Sequence, residues 1–143
     1  MTIATVLLVD DEVPFVEAMI RRLTKRDLKM LAAHSGPEAL DKLEADPAIE
    51  AVILDIKMPG MDGMQVLAEI RRRFPLVQVI MLTGHATVES GIEGMKQGAF
   101  DYLMKPCDID LLQSKVAEAA ALKRSQEEKI MQARIKEITA RRA

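Results

Sequence analysis

The stretch TVLLVDDE, residues 5–12, runs from four apolar side chains straight into three carboxylates. Val6 to Val9 show no alternation of apolar and polar positions, so a strand built from them must be covered on both faces. That is the habit of a central strand in a parallel sheet. The acids that follow, Asp10, Asp11 and Glu12, repel one another wherever the strand ends. A chain that places them there needs something to offset them.

Four further apolar runs extend the pattern: LKMLAA at 28–33, AVILD at 51–55, VQVIML at 77–82 and FDYLM at 100–104. Helical periodicity lies between them. Phe15, Met19, Ile20 and Leu23 recur at helical spacing after Pro14, a residue suited to a first turn. Ser35 to Glu38 and Asp62 to Gln65 both fit a capping box. Pro75 and Gly98 are placed to stop the third and fourth helices. A strand followed by a helix, five times over, predicts an α/β fold: a doubly wound five-stranded parallel sheet with right-handed crossovers.

In such a sheet the site lies beyond the carboxyl ends of the strands, where strand order reverses. The first run ends in Asp10, Asp11 and Glu12, and the third ends in Asp55. Thr83 follows the fourth, and Lys105 and Pro106 follow the fifth. The second run ends in Ala33 and His34, which are not assigned to the site. The first and third strands are neighbours in a doubly wound sheet, so Asp10, Asp11 and Asp55 converge. A hard divalent cation with oxygen ligands, Mg²⁺ above all, relieves their repulsion. Lys105 adds a positive charge and Thr83 a hydroxyl. That set handles a phosphoryl group, and a carboxylate among it can act as nucleophile and form an aspartyl phosphate.

Composition bounds the rest. The chain has 143 residues, 49% hydrophobic and 29% charged, as expected of one soluble globular domain. No apolar run approaches the roughly 18 residues that span a bilayer, and the N-terminus lacks the basic and apolar regions of a signal peptide. The single cysteine, Cys107, cannot form an internal disulfide, so a reducing cytoplasm is expected. The net charge of −2 conceals an asymmetry. Residues 123–143 hold seven basic and three acidic side chains, whereas residues 1–122 hold 13 and 19. An acidic body with a basic tail suggests two functional parts; a solvated helix of mixed charge is the simpler account.

The set VLLVDDE, VILDIKMPGMDG, VIMLTGHA and DYLMKP resembles the receiver domain of two-component response regulators, bacterial proteins with the (βα)5 flavodoxin-like fold also found in chemotaxis regulators. DD pairs and KP dipeptides are common singly; four motifs at the ends of successive strands, in order, are specific. The likeness covers about residues 4–122. It implies that Asp55 is the phosphoacceptor, served by a histidine kinase or phosphotransfer protein. It implies that Asp11 and Asp55 bind Mg²⁺ directly, with the backbone carbonyl of Lys57, and Asp10 mainly through water. Thr83 and Lys105 would contact the phosphoryl oxygens, and the Lys105–Pro106 bond is often cis in this family. Tyr102 matches the aromatic position that turns inward as Thr83 moves. The protein would then be a phosphoprotein switch rather than an enzyme, catalysing at most its own phosphorylation and dephosphorylation. LTGHATVESGIEGMKQGAFDYLMKP leans towards the receivers that precede an AAA+ domain in transcription activators.

Other readings stay open. An aspartyl-phosphate phosphatase would use similar residues, but such enzymes carry an acid two positions after the nucleophile, where this chain has Lys57. A phosphorylation-independent binding module with the same fold is the other alternative. Lys57 and His85 stand where side chains influence the lifetime of the phosphate in this family; Lys57 either shields it or lies in solvent. Met58, Met61 and Met64 either form an adaptable contact surface or anchor the loop under Pro59-Gly60. His34 and His85 lack a second ligand at zinc spacing, and no resolving partner gives Cys107 a redox role.

Gly91 and Gly94 weaken the fourth helix by roughly 0.8–1 kcal/mol each, which either eases switching of the face formed by helix 4, strand 5 and helix 5 or reflects close packing. A fifth helix starts near Asp108, buries Leu112, Val116 and Ala119, and meets no Pro or Gly through residue 143. Residues 1–122 therefore read as the receiver domain and 123–143 as a helical extension or linker. Met131, Ile135 and Ile138 in it suit a short coil in a homodimer, a link to a lost output domain, or a solvated tail. No DNA-reading module fits into twenty-one residues, so direct nucleic-acid binding is not expected, nor is membrane association.

Overall fold

A computed structural model of the chain describes residues 2–58, 60–84 and 87–141. Pro59 and His85, singled out above, lie outside the described residues. Five strands, β1 (Ala4–Val9), β2 (Leu28–Ala33), β3 (Ala51–Leu54), β4 (Gln78–Thr83) and β5 (Asp101–Met104), alternate with five helices. These are α1 (Val13–Thr24), α2 (Gly36–Ala45), α3 (Gly63–Arg73), α4 (Val88–Lys96) and α5 (Ile109–Arg141). The sheet is parallel throughout, in the order β2-β1-β3-β4-β5. Strand order therefore reverses between β1 and β3, as the sequence predicts.

Each central strand feeds two cores. Leu7, Val9, Val52, Leu54, Val79 and Met81 point into a layer with Leu40 and Leu43 of α2 and Val66, Leu67 and Ile70 of α3. Their neighbours Val6, Leu8, Ala51, Ile53, Ile80 and Leu82 point the other way, onto Val16, Met19 and Leu23 of α1 and Leu112, Val116 and Ala119 of α5. Both faces are apolar because both are covered.

The helix signals hold with one change. Asp62 and Gln65 exchange both bonds of a capping box. Ser35 accepts from the Glu38 backbone N–H, but the Glu38 carboxylate accepts from the His34 N–H instead of closing the box on Ser35. Thr87 and Ser90 form a further box that opens α4. Gly98, at φ +98°, follows α4; its N–H donates to Met95 O and that of Ala99 to Gly94 O. This closes the helix with a left-handed residue that favours glycine. Close packing accounts for Gly94 inside α4 but not for Gly91. A Cβ on Gly94 would lie 2.7 Å from Met81 Sδ, and one on Gly91 would lie 3.4 Å from the Tyr102 ring. Met58 is buried, with Met61 and Met64 against the same core, which is loop anchoring rather than a contact surface.

Asp108 opens α5 as a cap, its carboxylate accepting from the Asp110 N–H. The helix then continues unbroken past the sheet. Lys123 is buried and paired with Glu127, and Arg124 grips Glu50 by two bonds of 2.5 and 2.8 Å while a further 2.7 Å bond reaches Ile3 O. Met131, Ile135 and Ile138 are exposed beyond this grip. Among the described residues no helix is long and apolar enough to cross a membrane.

Candidate functional site

The sheet itself positions the polar residues. The backbone N–H of Asp10 donates to Ala33 O at the end of β2, that of Asp55 to Val9 O at the end of β1, and that of Lys105 to Thr83 O at the end of β4. Asp10, Asp55 and Lys105 thus each continue a ladder one step beyond a strand, and Thr83 is the last residue of β4. Asp10, Asp11 and Asp55 each bring a carboxylate oxygen within 4.8 Å of the others. Asp10 and Asp55 are buried, and Asp11 is exposed at the mouth.

Asp10 is fully engaged. Its Oδ1 accepts from the Glu12 N–H at 2.9 Å and its Oδ2 from Lys105 Nζ at 2.6 Å. Asp55 is not: it is 3% exposed, its Oδ1 is buried without a hydrogen-bond partner, and Lys105 Nζ lies 3.8 Å from Oδ2. Burial pushes the Asp55 carboxyl above its ordinary value, the Asp10 charge adds to this, and hydrogen bonds from the Thr83 hydroxyl and the Lys57 backbone pull against it. For Lys105, burial works to lower the ammonium, but the hydrogen bond and charge of Asp10, with Asp55 and Glu12, outweigh it and hold the pKa up. The Lys105–Pro106 bond is cis. Lys57 is exposed.

A hard divalent cation fits this donor set. Three carboxylates converge, one buried oxygen has no partner, and all the offered ligands are oxygens. A structural ion-pair cluster would be expected to satisfy its buried oxygens internally.

Tyr102 stands apart from the carboxylates, on β5 against α4. Its hydroxyl meets Ser90 Oγ at 2.7 Å. Beside it an open apolar groove of about 820 Å³ runs between α4 and β5, with Val88, Ile92, Met95 and Met104 exposed along it.

Three site neighbours have no role in the sequence reading: Glu12, placed at the strand end but given no partner, His34, left out of the site, and Phe15. Glu12 Oε1 lies 3.6 Å from Lys105 Nζ, the Phe15 ring lies 4.1 Å from the same atom, and His34 Nδ1 lies 3.2 Å from Asp10 O. Phe15 read as part of the α1 apolar stripe, and nothing local in the sequence pairs it with a residue ninety positions away.

Known proteins share this fold and family. The model of the response regulator receiver domain matches residues 6–117. The DNA-binding transcriptional regulator NtrC of Klebsiella pneumoniae is 40% identical over 103 residues, covering 72% of this chain and 22% of that protein. The chain thus spans about a quarter or less of that relative's length. A response regulator receiver domain protein from Clostridium thermocellum superposes with a TM-score of 0.82 at 35% identity, covering 86% of this chain and 98% of that one. A response regulator protein from Burkholderia pseudomallei, solved with a phosphorylated aspartic acid, calcium ion and citrate, gives 0.75 at 25% identity, covering 87% and 72%.

Proposed function

The chain belongs to the response regulator receiver domain family, and from that premise we propose that it is a phosphorylation-operated switch with Asp55 as its acceptor. The observation that carries this is the buried, unpartnered Oδ1 of Asp55 among Asp10, Asp11, Thr83 and Lys105. An Asp55 oxygen attacks the phosphorus of a phosphohistidine on a histidine kinase or phosphotransfer protein. The P–N bond breaks, its electron pair returns to the imidazole, and an acyl phosphate is left on Asp55.

Asp10, Asp11, Asp55 and the Lys57 backbone carbonyl are the groups that would hold Mg²⁺. When bound, that ion supplies positive charge against the oxygens of the transferring group. Thr83 offers its hydroxyl, and Lys105 its ammonium, to the phosphoryl group. The covalent chemistry of the chain is limited to its own phosphorylation and dephosphorylation, and it works in the cytoplasm.

Phosphorylation brings a charge of about −2 to a site that Lys105 now shares with Asp10. Thr83 and Lys105 move to it, and Tyr102 shifts with Thr83. The face of α4, β5 and α5, with its apolar groove, then changes affinity for a downstream protein, for an output domain of the activator kind, or for a second copy through the α5 extension. On this reading residues 1–122 are the switch and 123–143 its connector. The exposed ammonium of Lys57, where a phosphatase would carry an acid, speaks against hydrolysis of outside substrates.

The test is intact mass after incubation with acetyl phosphate and Mg²⁺. One added phosphoryl group, absent with EDTA and in Asp55→Asn, is expected. An unmodified wild-type chain that also fails to respond to beryllofluoride would leave a module that works by binding alone.

A further inference from the structure

We propose that Phe15 is a positioning residue for Lys105, holding its ammonium beside the acceptor through the face of its ring; this rests on the reading of Asp55 given above. Phe15 sits in the first turn of α1, and its ring packs against the core shared by α1, α5 and the sheet. The ring is therefore fixed by the fold. Lys105 Nζ lies 4.1 Å from the ring centroid, well within the roughly 6 Å over which a cation is drawn to an aromatic face.

The other partners of Lys105 explain why such a contact matters. Asp10 accepts from it at 2.6 Å, Asp55 lies 3.8 Å away, and Glu12 lies 3.6 Å away with most of its side chain in water. Each carboxylate competes for an N–H and pulls the ammonium toward itself. A ring face attracts the charge without taking up an N–H and without adding a negative charge to an acidic cluster. The side chain of Lys105 is only 15% exposed, so water is largely kept from the same role. With the ring behind it, the ammonium can turn from Asp10 toward oxygens on Asp55 and stay stabilised in both orientations. Without the ring, its resting place is decided by Asp10 and solvent.

Graded fluorination tests this, because it weakens the ring's electrostatic face while changing its size little. The full chain carrying mono-, di- or trifluorophenylalanine at position 15 is phosphorylated with acetyl phosphate at saturating Mg²⁺. The logarithm of the rate is expected to fall stepwise, by about three- to tenfold across the series. Phe15→Leu should lie at or below the slow end, and Phe15→Trp should restore the rate. A rate that is flat across the fluorinated series while Phe15→Leu is slow would overturn the proposal, since packing alone would then explain the residue. Should the wild-type chain take up no phosphoryl group, the reading of Asp55 falls separately. The contact is then decided by the proton resonances of the Lys105 ε-methylene. Upfield ring-current shifts lost in Phe15→Leu support it, and unshifted resonances overturn it.

Discussion

The ammonium of Lys105 stands 2.6 Å from Asp10 Oδ2 but 3.8 Å from Asp55 Oδ2, so the resting lysine is bound to the residue that is not the proposed acceptor. It occupies Asp10, which an incoming cation would also need. Lysine and cation therefore compete for one carboxylate. Replacing Lys105 with methionine keeps the stem and removes the charge, and should tighten Mg²⁺ binding about tenfold, or ~1.4 kcal/mol. Titration of the unphosphorylated chain with Mg²⁺ measures it; weaker binding in the variant would refute the competition.

Asp55 gives a dependence of stability on pH. Its carboxyl is raised from an ordinary value of 3.8, so the folded chain holds this proton more tightly than the unfolded one. The protonated form favours folding, and that advantage is lost as pH climbs from near 3.8 through the raised value. In the absence of divalent ions, Asp55→Asn should be more stable than wild type at pH 7 by roughly 1–2 kcal/mol, on the scale of an unsatisfied buried group. The difference should shrink toward pH 4, and Mg²⁺ should shrink it at pH 7. Urea unfolding across that range decides the sign, and a gap that widens in acid contradicts the assignment.

The glycines separate close approach from open packing. A Cβ on Gly63 would lie 2.2 Å from Asp55 O and 2.4 Å from Ile56 Cα, both backbone atoms that cannot step aside. Gly63→Ala should cost about 2–3 kcal/mol and slow phosphorylation by displacing the acceptor loop. At Gly91 the nearest atom is 3.4 Å away, an ordinary contact. Gly91→Ala should stabilise α4 by up to about 1 kcal/mol. Thermal melts of the two variants should move in opposite directions.

Ser90 ties Tyr102 to the start of α4. Its Oγ meets Tyr102 Oη at 2.7 Å and accepts from the Thr87 N–H at 3.1 Å. The only buried residue of α4 is Gly94, whereas α1 buries Val16, Met19 and Leu23. Amides of 88–97 should therefore exchange faster than those of α1, and Ser90→Ala should speed them by about fivefold, equivalent to ~1 kcal/mol. Tyr102→Phe keeps the capping box and should speed them less. Exchange in 88–97 as slow as in α1 would show that α4 is not the weak element.

Most of the architecture was legible because burial on both faces writes itself into sequence. Val6–Val9, Ala51–Leu54 and Val79–Leu82 could not face water on either side, and β2 spans the residues its apolar run marks. The convergence of Asp10, Asp11 and Asp55 followed from topology, since β1 and β3 flank the reversal. Local chemistry was less secure. Glu38 fits the capping-box spacing yet turns to His34, while Thr87 and Ser90 form a box without the usual Glu or Gln. Contacts between distant elements left no trace: Phe15 under Lys105, and Arg124 on Glu50, unite residues whose local patterns are already explained by a helix face or a charged surface.

The Arg124–Glu50 grip gives α5 a fulcrum. It lies by the starting ends of β1 and β3, opposite the end that carries Asp55, and the helix runs on to Arg141. At 1.5 Å per residue the stretch from Arg124 to Arg141 is about 25 Å long, so a tilt of about 10° at the grip would carry Arg141 about 4 Å. A repacking too small to break the body apart thereby becomes a displacement comparable to a helix turn. A small change of angle at the grip would thus be a much larger displacement at Arg141.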